Sequence, residues 1–420
     1  MNYCIIGNSA AAIGAVEGIR KIDQDSPITV ISAESYHTYS RPLISYYLAG
    51  KVPADKMYYR PLDFYEKNNV TLLANTEAAG IDTEKKEVLL QDQKSVHFDK
   101  LLIATGGKPF IPPTEGLDKK GIYTFQKWDD VKGIAKVAGE KKSKAVIIGA
   151  GLIGMKAAEA LRYLGIEVTV IELANRVLSS ILDTQAASFV QDVMESHGTR
   201  FILGSTVSRI LGDKQVSGVE VSNGKILDCD LLIFAIGVVP NNDVVSKTTI
   251  KTNRGILINE KMETSIPGIY AAGDVAEGQD AILNSARVIP ILPNAYKQGE
   301  TAGQNMAGSD VSFTSGFAMN AIGFFGYAMT SAGVLGGEGY EELMIVKPEE
   351  SIYRKVIFKD DRLVGYIALK EINRTGMLTG LIADKINVQS FKQSLLKPDF
   401  GYIDWPKELR CERMLSGGEG

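Results

Sequence analysis

The chain has little with which to do thiol or metal chemistry. Its 420 residues include three cysteines, Cys4, Cys229 and Cys411, far apart and with neither a CxxC pair nor a metal-ligand spacing among them. His37, His97 and His197 fall near loops or surface turns and share no nucleophile or metal constellation, so no chemistry is assigned to them. No apolar run reaches the roughly 18 residues that a membrane span needs. Tyr3 to Ile6 already read as a strand, so no room for a cleavable leader is expected. Basic and acidic residues nearly balance, 46 against 50, for a net charge of −4. No basic block offers a nucleic-acid footprint, and Lys141, Lys142 and Lys144 read as a solvated turn before a strand. These absences predict a soluble, reduced, cytoplasmic protein, long enough for about two or three domains.

What is present is one pattern written twice. "MNYCIIGNSAAAIGAVEGIRK" is a short apolar strand, a glycine turn and a small-residue helix, and "KSKAVIIGAGLIGMKAAEALRYL" repeats that order from Lys142. A further strand follows each, "PITVISAE" and "IEVTVIEL". Two such units predict an α/β chain with two Rossmann-like dinucleotide-binding domains.

The second copy is complete. Gly149, Gly151 and Gly154 give GxGxxG after the strand Ala145 to Ile148, and Glu172 ends the next strand. The first glycine allows the tight turn, the second lets backbone approach a pyrophosphate, and the third brings helix against strand. The phosphate then meets helix amides carrying about half a positive charge. A carboxylate at Glu172 would accept from ribose hydroxyls and repel a 2′-phosphate, which favours NADH; Arg176 nearby keeps NADPH open. A glycine turn used only for packing is the alternative.

The first copy is degenerate, with Gly7, Ser9 and Ala12 at the three positions. Two other segments strengthen it: "LLIATGGKPFIPP" at 101–113 and "TSIPGIYAAGDVAEG" at 264–278. The second reads as a strand ending on Gly273 and Asp274, which would offer a carboxylate to a chain of hydroxyls. A generic strand and turn would account for either segment alone.

The order of GNSAAA, ATGG, GAGLIG, AIGVVPN and AAGD resembles the flavoprotein reductases of the pyridine nucleotide-disulfide oxidoreductase superfamily, in particular NADH:rubredoxin reductases and the flavin part of assimilatory nitrite reductase large subunits. The likeness is specific over residues 1 to about 310 and looser beyond. It implies that Gly7, Ser9 and Ala12 hold the FAD pyrophosphate and that Glu34 or Ser32 meets the adenosine ribose. It further implies an adenine contact at Ala78, approach to the cofactor by Ala104, Thr105 and Gly106, and by Gly237 of AIGVVPN, and ribityl binding at Gly273 and Asp274. A helix starting near Asn294 would face the flavin's pyrimidine edge, where its positive end stabilises negative charge; ordinary sheet cover is compatible with the same helix.

The domain borders implied are 1–117 and 242–315 for a split FAD domain, 118–241 for an NAD domain, and 316–420 for a small α/β domain similar to the C-terminal domain of rubredoxin reductases. Such domains commonly cap the flavin or form a dimer contact. The tail "DWPKELRCERML" reads as surface, with Cys411 a bystander.

"YSRPLISYYLAGK" at 39–51 sits where thiol-using relatives place a redox cysteine, and alignment on "SYYLAG" puts Pro42 there. Proline offers no thiolate and no sulfenic acid, and with no other cysteine pair to serve as a dithiol this argues against disulfide reduction and thiol peroxidase chemistry. Arg41, of the Arg-Pro dipeptide shared with rubredoxin reductase-like sequences, would face the FAD phosphates or ring edge; a surface salt bridge is its plainer role. Several relatives pair a lysine at the position of Tyr46 with a glutamate at that of Lys156. The exchange implies that Lys156 supplies positive charge near flavin and nicotinamide, with Tyr46 packed or hydrogen-bonded against it. The alternative is a Lys156 pointing to solvent from the first helical turn.

The reading is an FAD-dependent NADH reductase that passes electrons to a protein acceptor: rubredoxin, ferredoxin or an iron-sulfur partner subunit. An NADH oxidase reducing oxygen, or a flavin-bearing subunit with little turnover of its own, are the alternatives. A homodimer or membership of a larger complex is compatible with either. No metal site is expected.

Overall fold

The computed structural model describes residues 1–140 and 143–416. Lys141 and Lys142, read above as part of a turn, lie outside the described residues, while Lys144 opens the strand Lys144–Ile148. The chain forms two compact units: Met1–Pro113, Gly121–Lys141 and Ile233–Phe317 in the first, and Thr114–Lys120, Lys142–Leu232 and Ala318–Gly420 in the second.

The first unit is built on a five-stranded sheet ordered Ile269–Ala271, Lys100–Ile103, Tyr3–Ile6, Ile28–Ile31, Val70–Leu73. Every neighbouring pair is parallel. A parallel sheet covered on both faces calls for strands apolar throughout rather than alternating, and Tyr3, Cys4, Ile5 and Ile6 are all buried. The helix Ala10–Arg20 follows the first strand and packs on the helix Leu292–Met306 through small residues. A Cβ at Gly299 would stand 1.9 Å from the Ala11 carbonyl oxygen, so this crossing needs glycine to let the two backbones touch. The same unit holds a three-stranded antiparallel sheet, Ala78–Asp82, Glu87–Leu90 and Ser95–His97.

Two details differ from the sequence expectation. The later helix starts at Leu292 rather than near Asn294, because Pro293 fits the first helical turn, where a missing N–H costs nothing. The strand expected to end on Gly273 and Asp274 stops at Ala271, and both residues belong to the turn after it. Gly273 there has φ +81°, a conformation that continued strand pairing does not permit.

In the second unit the parallel strands Lys144–Ile148, Glu167–Glu172 and Thr199–Leu203 lie side by side in that order. The helix Leu152–Tyr163 follows the first of them, and the helix Thr184–Ser196 precedes the third. The C-terminal segment forms a five-stranded antiparallel sheet ordered Met319–Phe324, Tyr327–Gly333, Arg362–Leu369, Ile352–Lys359, Glu341–Lys347. The helix Thr375–Ala383 adjoins it, where the Tyr366 hydroxyl shares a 2.9 Å hydrogen bond with Thr379. Cys411 is exposed on the helix Lys407–Ser416.

Candidate functional site

The glycine turn of the first unit closes tightly against a neighbouring strand. Gly7 has φ +117°, and a Cβ there would lie 2.1 Å from the Ala104 carbonyl oxygen, so only glycine lets the turn close against the next strand. Ser9 stands at the N-cap of Ala10–Arg20 in an extended conformation, and its side chain makes no capping hydrogen bond. The first helical turn carries no acidic residue, which leaves its amide dipoles uncompensated toward an anion. Ala12 is fully buried, the role expected of the third motif position.

Glu34, past the end of the neighbouring strand, is engaged on both carboxylate oxygens. Oε1 pairs with the Arg41 guanidinium, and Oε2 accepts from the Tyr39 hydroxyl at 2.6 Å. Ser32 instead donates its hydroxyl to the Glu34 carbonyl at 3.0 Å. Arg41 also donates to the Tyr39 hydroxyl at 3.2 Å and to the Gln126 carbonyl at 3.1 Å. It opens the short turn Arg41–Leu43, which fixes Pro42 directly beside it. Tyr39 and Trp128 pack at 5.4 Å between ring centres, and the Trp128 amide donates to the Tyr39 hydroxyl at 3.1 Å. Burial raises the Asp274 carboxyl above its ordinary range, and the charge of Arg41 works against that shift. Glu34, Arg41 and Asp274 therefore form one polar group.

The remaining expected residues of this unit lie in turns, strands and helices of their own. Thr105 donates its hydroxyl to the Asn241 carbonyl at 2.6 Å, and the Asn241 amide donates to the Gly106 carbonyl at 2.8 Å. Gly107–Pro109 pairs antiparallel with Val238–Pro240, and the Gly237 carbonyl accepts from the Phe110 amide at 3.1 Å. This ties ATGG to AIGVVPN, two motifs far apart in sequence. The Gly273 amide donates to Gln298 Oε1 at 2.9 Å, which fixes the turn carrying Asp274. Asn294 is buried in the helix's first turns. Ala78 begins the antiparallel sheet, beside a register shift. Tyr46 is 37% exposed on the short helix Ile44–Leu48.

Sequence reasoning missed Tyr39, Gln126, Trp128 and Gln298. The aromatic run "SYHTYS" was the available signal for Tyr39. The other three act on partners distant in sequence, Gln126 and Trp128 through their own backbone and Gln298 through its side chain.

The second unit carries the complete glycine motif. Gly149 has φ +104°, and a Cβ on Gly151, at the N-cap of Leu152–Tyr163, would meet nothing within 4 Å, so the space before this helix is open. Gly154 is buried. Glu172 holds the turn with both oxygens, accepting from the Ala150 amide at 2.6 Å and the Ala174 amide at 2.8 Å. Each oxygen keeps acceptor capacity for a ribose hydroxyl. Arg176 is folded back, donating to the Leu182 and Ser179 carbonyls at 3.2 Å each. Lys156 does not point to solvent: its ammonium pairs with Glu159 and donates to the Gly323 carbonyl at 3.2 Å.

Cys4 and Cys229 are buried and Cys411 is exposed. Burial pushes both Cys4 and Cys229 up to about 12. Among the described residues no helix is long and apolar enough to cross a membrane, and no cluster of three or more His, Cys, Asp or Glu could hold a metal.

A family model described as pyridine nucleotide-disulphide oxidoreductase matches residues 1–299. A second, described as the rubredoxin NAD+ reductase C-terminal domain, matches residues 319–386. A nitrite reductase (NAD(P)H) of Bacillus subtilis (strain 168) is 31% identical over 398 residues, 94% of this chain and 49% of that protein. The chain thus spans about half the length of that relative. An NADH oxidase of Methanocaldococcus jannaschii is 35% identical over 321 residues, 74% of this chain and 71% of that protein. Among solved structures, an NAD-dependent persulfide reductase from A. fulgidus superposes with a TM-score of 0.87 at 27% identity, over 99% of this chain and 83% of the other.

Proposed function

The chain belongs to the pyridine nucleotide-disulphide oxidoreductase family, and from that premise we propose that it is an FAD-dependent NADH reductase that hands electrons to a protein acceptor without a thiol. Rubredoxin, ferredoxin or an iron-sulfur partner subunit are the acceptors this reading names. The observation that carries it is Pro42, held by the turn Arg41–Leu43 next to the Glu34, Arg41 and Asp274 group, where thiol-using relatives place their cysteine.

FAD, when bound, accepts a hydride from NADH and releases electrons singly to an iron centre. The chain's own part is binding and orientation. Gly7, Ser9 and Ala12 would hold the pyrophosphate, with Arg41 neutralising charge beside it. Glu34 would exchange its Tyr39 partner for ribose hydroxyls, and Asp274 would take the ribityl chain. Ala78 would contact adenine; Ala104 to Gly106, Gly237, Gly273 and the helix containing Asn294 would line the flavin. NADH would lie on Gly149, Gly151 and Gly154, its ribose on Glu172. The FAD-binding segments would be 1–117 and 242–315, the NAD-binding segment 118–241, and the C-terminal domain 316–420.

Lys156 and Tyr46 enter this proposal in a narrower form. Because Glu159 partners the Lys156 ammonium, its effect on the reacting groups would be that of one end of an ion pair, a weaker field than a lone cation. Tyr46, exposed beside Pro42, would pack at the flavin's edge.

A second reading, reduction of oxygen, is favoured by the 35% identity to a protein named NADH oxidase. The deciding experiment is to reduce the FAD-loaded protein with NADH under anaerobic conditions and then mix it with an iron-sulfur protein, rubredoxin or oxygen. Reoxidation by oxygen alone would replace the first reading with the second.

A further inference from the structure

The loop 173–183, which follows Glu172 in the second unit, is fixed at both ends. At the glycine turn, the Leu178 amide donates to the Ala150 carbonyl at 2.8 Å, and the Ala174 carbonyl accepts from the Gly204 amide at 3.0 Å. Leu178 is buried with φ +50°, a conformation that persists only where surroundings impose it. At the far end stands Asp183. Its Oδ1 accepts from the Ala186 amide at 2.9 Å and so caps the helix Thr184–Ser196.

Its other oxygen reaches into the C-terminal sheet. Oδ2 accepts from the Tyr353 hydroxyl at 2.5 Å and from the Lys355 ammonium at 3.3 Å. Both residues are buried on the strand Ile352–Lys359. Lys355 also pairs with Glu342 at 2.8 Å and donates to the Leu335 carbonyl at 3.1 Å. Glu342 in turn accepts from the Gly337 amide at 2.9 Å. Removing the ammonium would leave Asp183 and Glu342 as like charges on one half-buried spot, with nothing between them.

The helix carrying the glycine motif is gripped by the same sheet. Glu159 accepts from the Phe325 amide at 2.7 Å while its partner Lys156 donates to the Gly323 carbonyl. Phe325, at φ +50° in a turn, stacks on His197 at 4.0 Å and lies 5.2 Å from Tyr163. Those two residues end the two helices of the dinucleotide segment.

We infer that the C-terminal sheet sets the affinity for NADH, with Lys355 and Tyr353 as positioning residues that act through Asp183 on the loop beside Glu172. The inference rests on the reading that Gly149 to Gly154 and Glu172 hold NADH. The C-terminal segment then tunes the electron donor's site in addition to whatever else it covers.

The test uses the FAD-loaded protein, with NADH affinity taken from the saturation of anaerobic flavin reduction and NAD+ affinity from direct titration. Lys355→Met should weaken both by about tenfold, leave the limiting reduction rate within about twofold, and be largely rescued in Lys355→Arg. Tyr353→Phe removes only the hydroxyl and should act in the same direction by a smaller factor; it decides the matter if Lys355→Met does not fold. Unchanged affinity in the folded variants, or a loss confined to the limiting rate, overturns the inference. A parent protein that binds neither NADH nor NADPH overturns the underlying reading instead.

Discussion

Glu34 and Arg41, seven positions apart in the chain, are joined by a salt bridge, and Tyr39 donates to the carboxylate oxygen that Arg41 leaves open. The Arg41 guanidinium also acts on the buried Asp274 carboxyl, so one side chain answers two acids.

Replacing Arg41 should therefore loosen the flavin. Arg41→Met removes a charge-assisted contact of about 2 kcal/mol, so the dissociation constant for FAD should rise roughly 30-fold. Fluorescence titration of the FAD-free protein measures this directly. Unaltered FAD affinity would make Arg41 a surface salt bridge and nothing more.

Thiol modification should be harmless. Cys4 and Cys229 are buried with their thiols pushed up to about 12, whereas Cys411 is exposed. Iodoacetamide at about pH 8 should label Cys411 alone, since only the thiolate reacts, and NADH-dependent turnover should persist. Loss of turnover in step with labelling would mean that a thiol takes part.

Asp274 gives the FAD-free protein a pH signature. Because burial raises its carboxyl above the ordinary 3.8, the folded chain keeps a proton that the unfolded chain has lost over the interval between the two values. Folded protein binds more protons there, so this group's contribution is fully present below the unfolded value and is lost as pH rises through the folded one. Asp274→Asn should flatten the loss of stability seen in urea unfolding as pH rises above the ordinary carboxylate value of about 4. An identical slope in parent and variant would place the shift elsewhere.

Lys156→Met should slow flavin reduction by NADH, by about tenfold in the limiting rate, or about 1.4 kcal/mol of barrier. Stopped-flow absorbance reads it. A limiting rate equal to the parent's would confine Lys156 to gripping the strand Met319–Phe324 at Gly323.

Much of this was legible in the sequence because it is local. The strands Tyr3–Ile6 and Lys144–Ile148 and the helices after them announce themselves through apolar runs and glycine turns. Gly7 and Gly149 stand at the positive φ that their motifs require. What escaped depends on distant partners. Nothing in the sequence of Ile352–Lys359 says that Tyr353 and Lys355 reach Asp183, some 170 residues earlier. Lys156 reads from sequence as a charge set against Tyr46 or turned to solvent, whereas its partner is Glu159, one helical turn on. The exchange of charges at Tyr46 and Lys156 was visible; the ion pair that accompanies it follows only from packing.

The central claim is electron transfer without a thiol, and an anaerobic NADH titration of the FAD-loaded protein followed by mixing with an iron-sulfur protein or rubredoxin tests it most directly. The account predicts full bleaching of the flavin at about one NADH per FAD, since one hydride carries the two electrons that a flavin accepts, and return of the oxidised spectrum on adding the iron protein. A need for about two NADH per FAD, with a long-wavelength thiolate-to-flavin band, would contradict it.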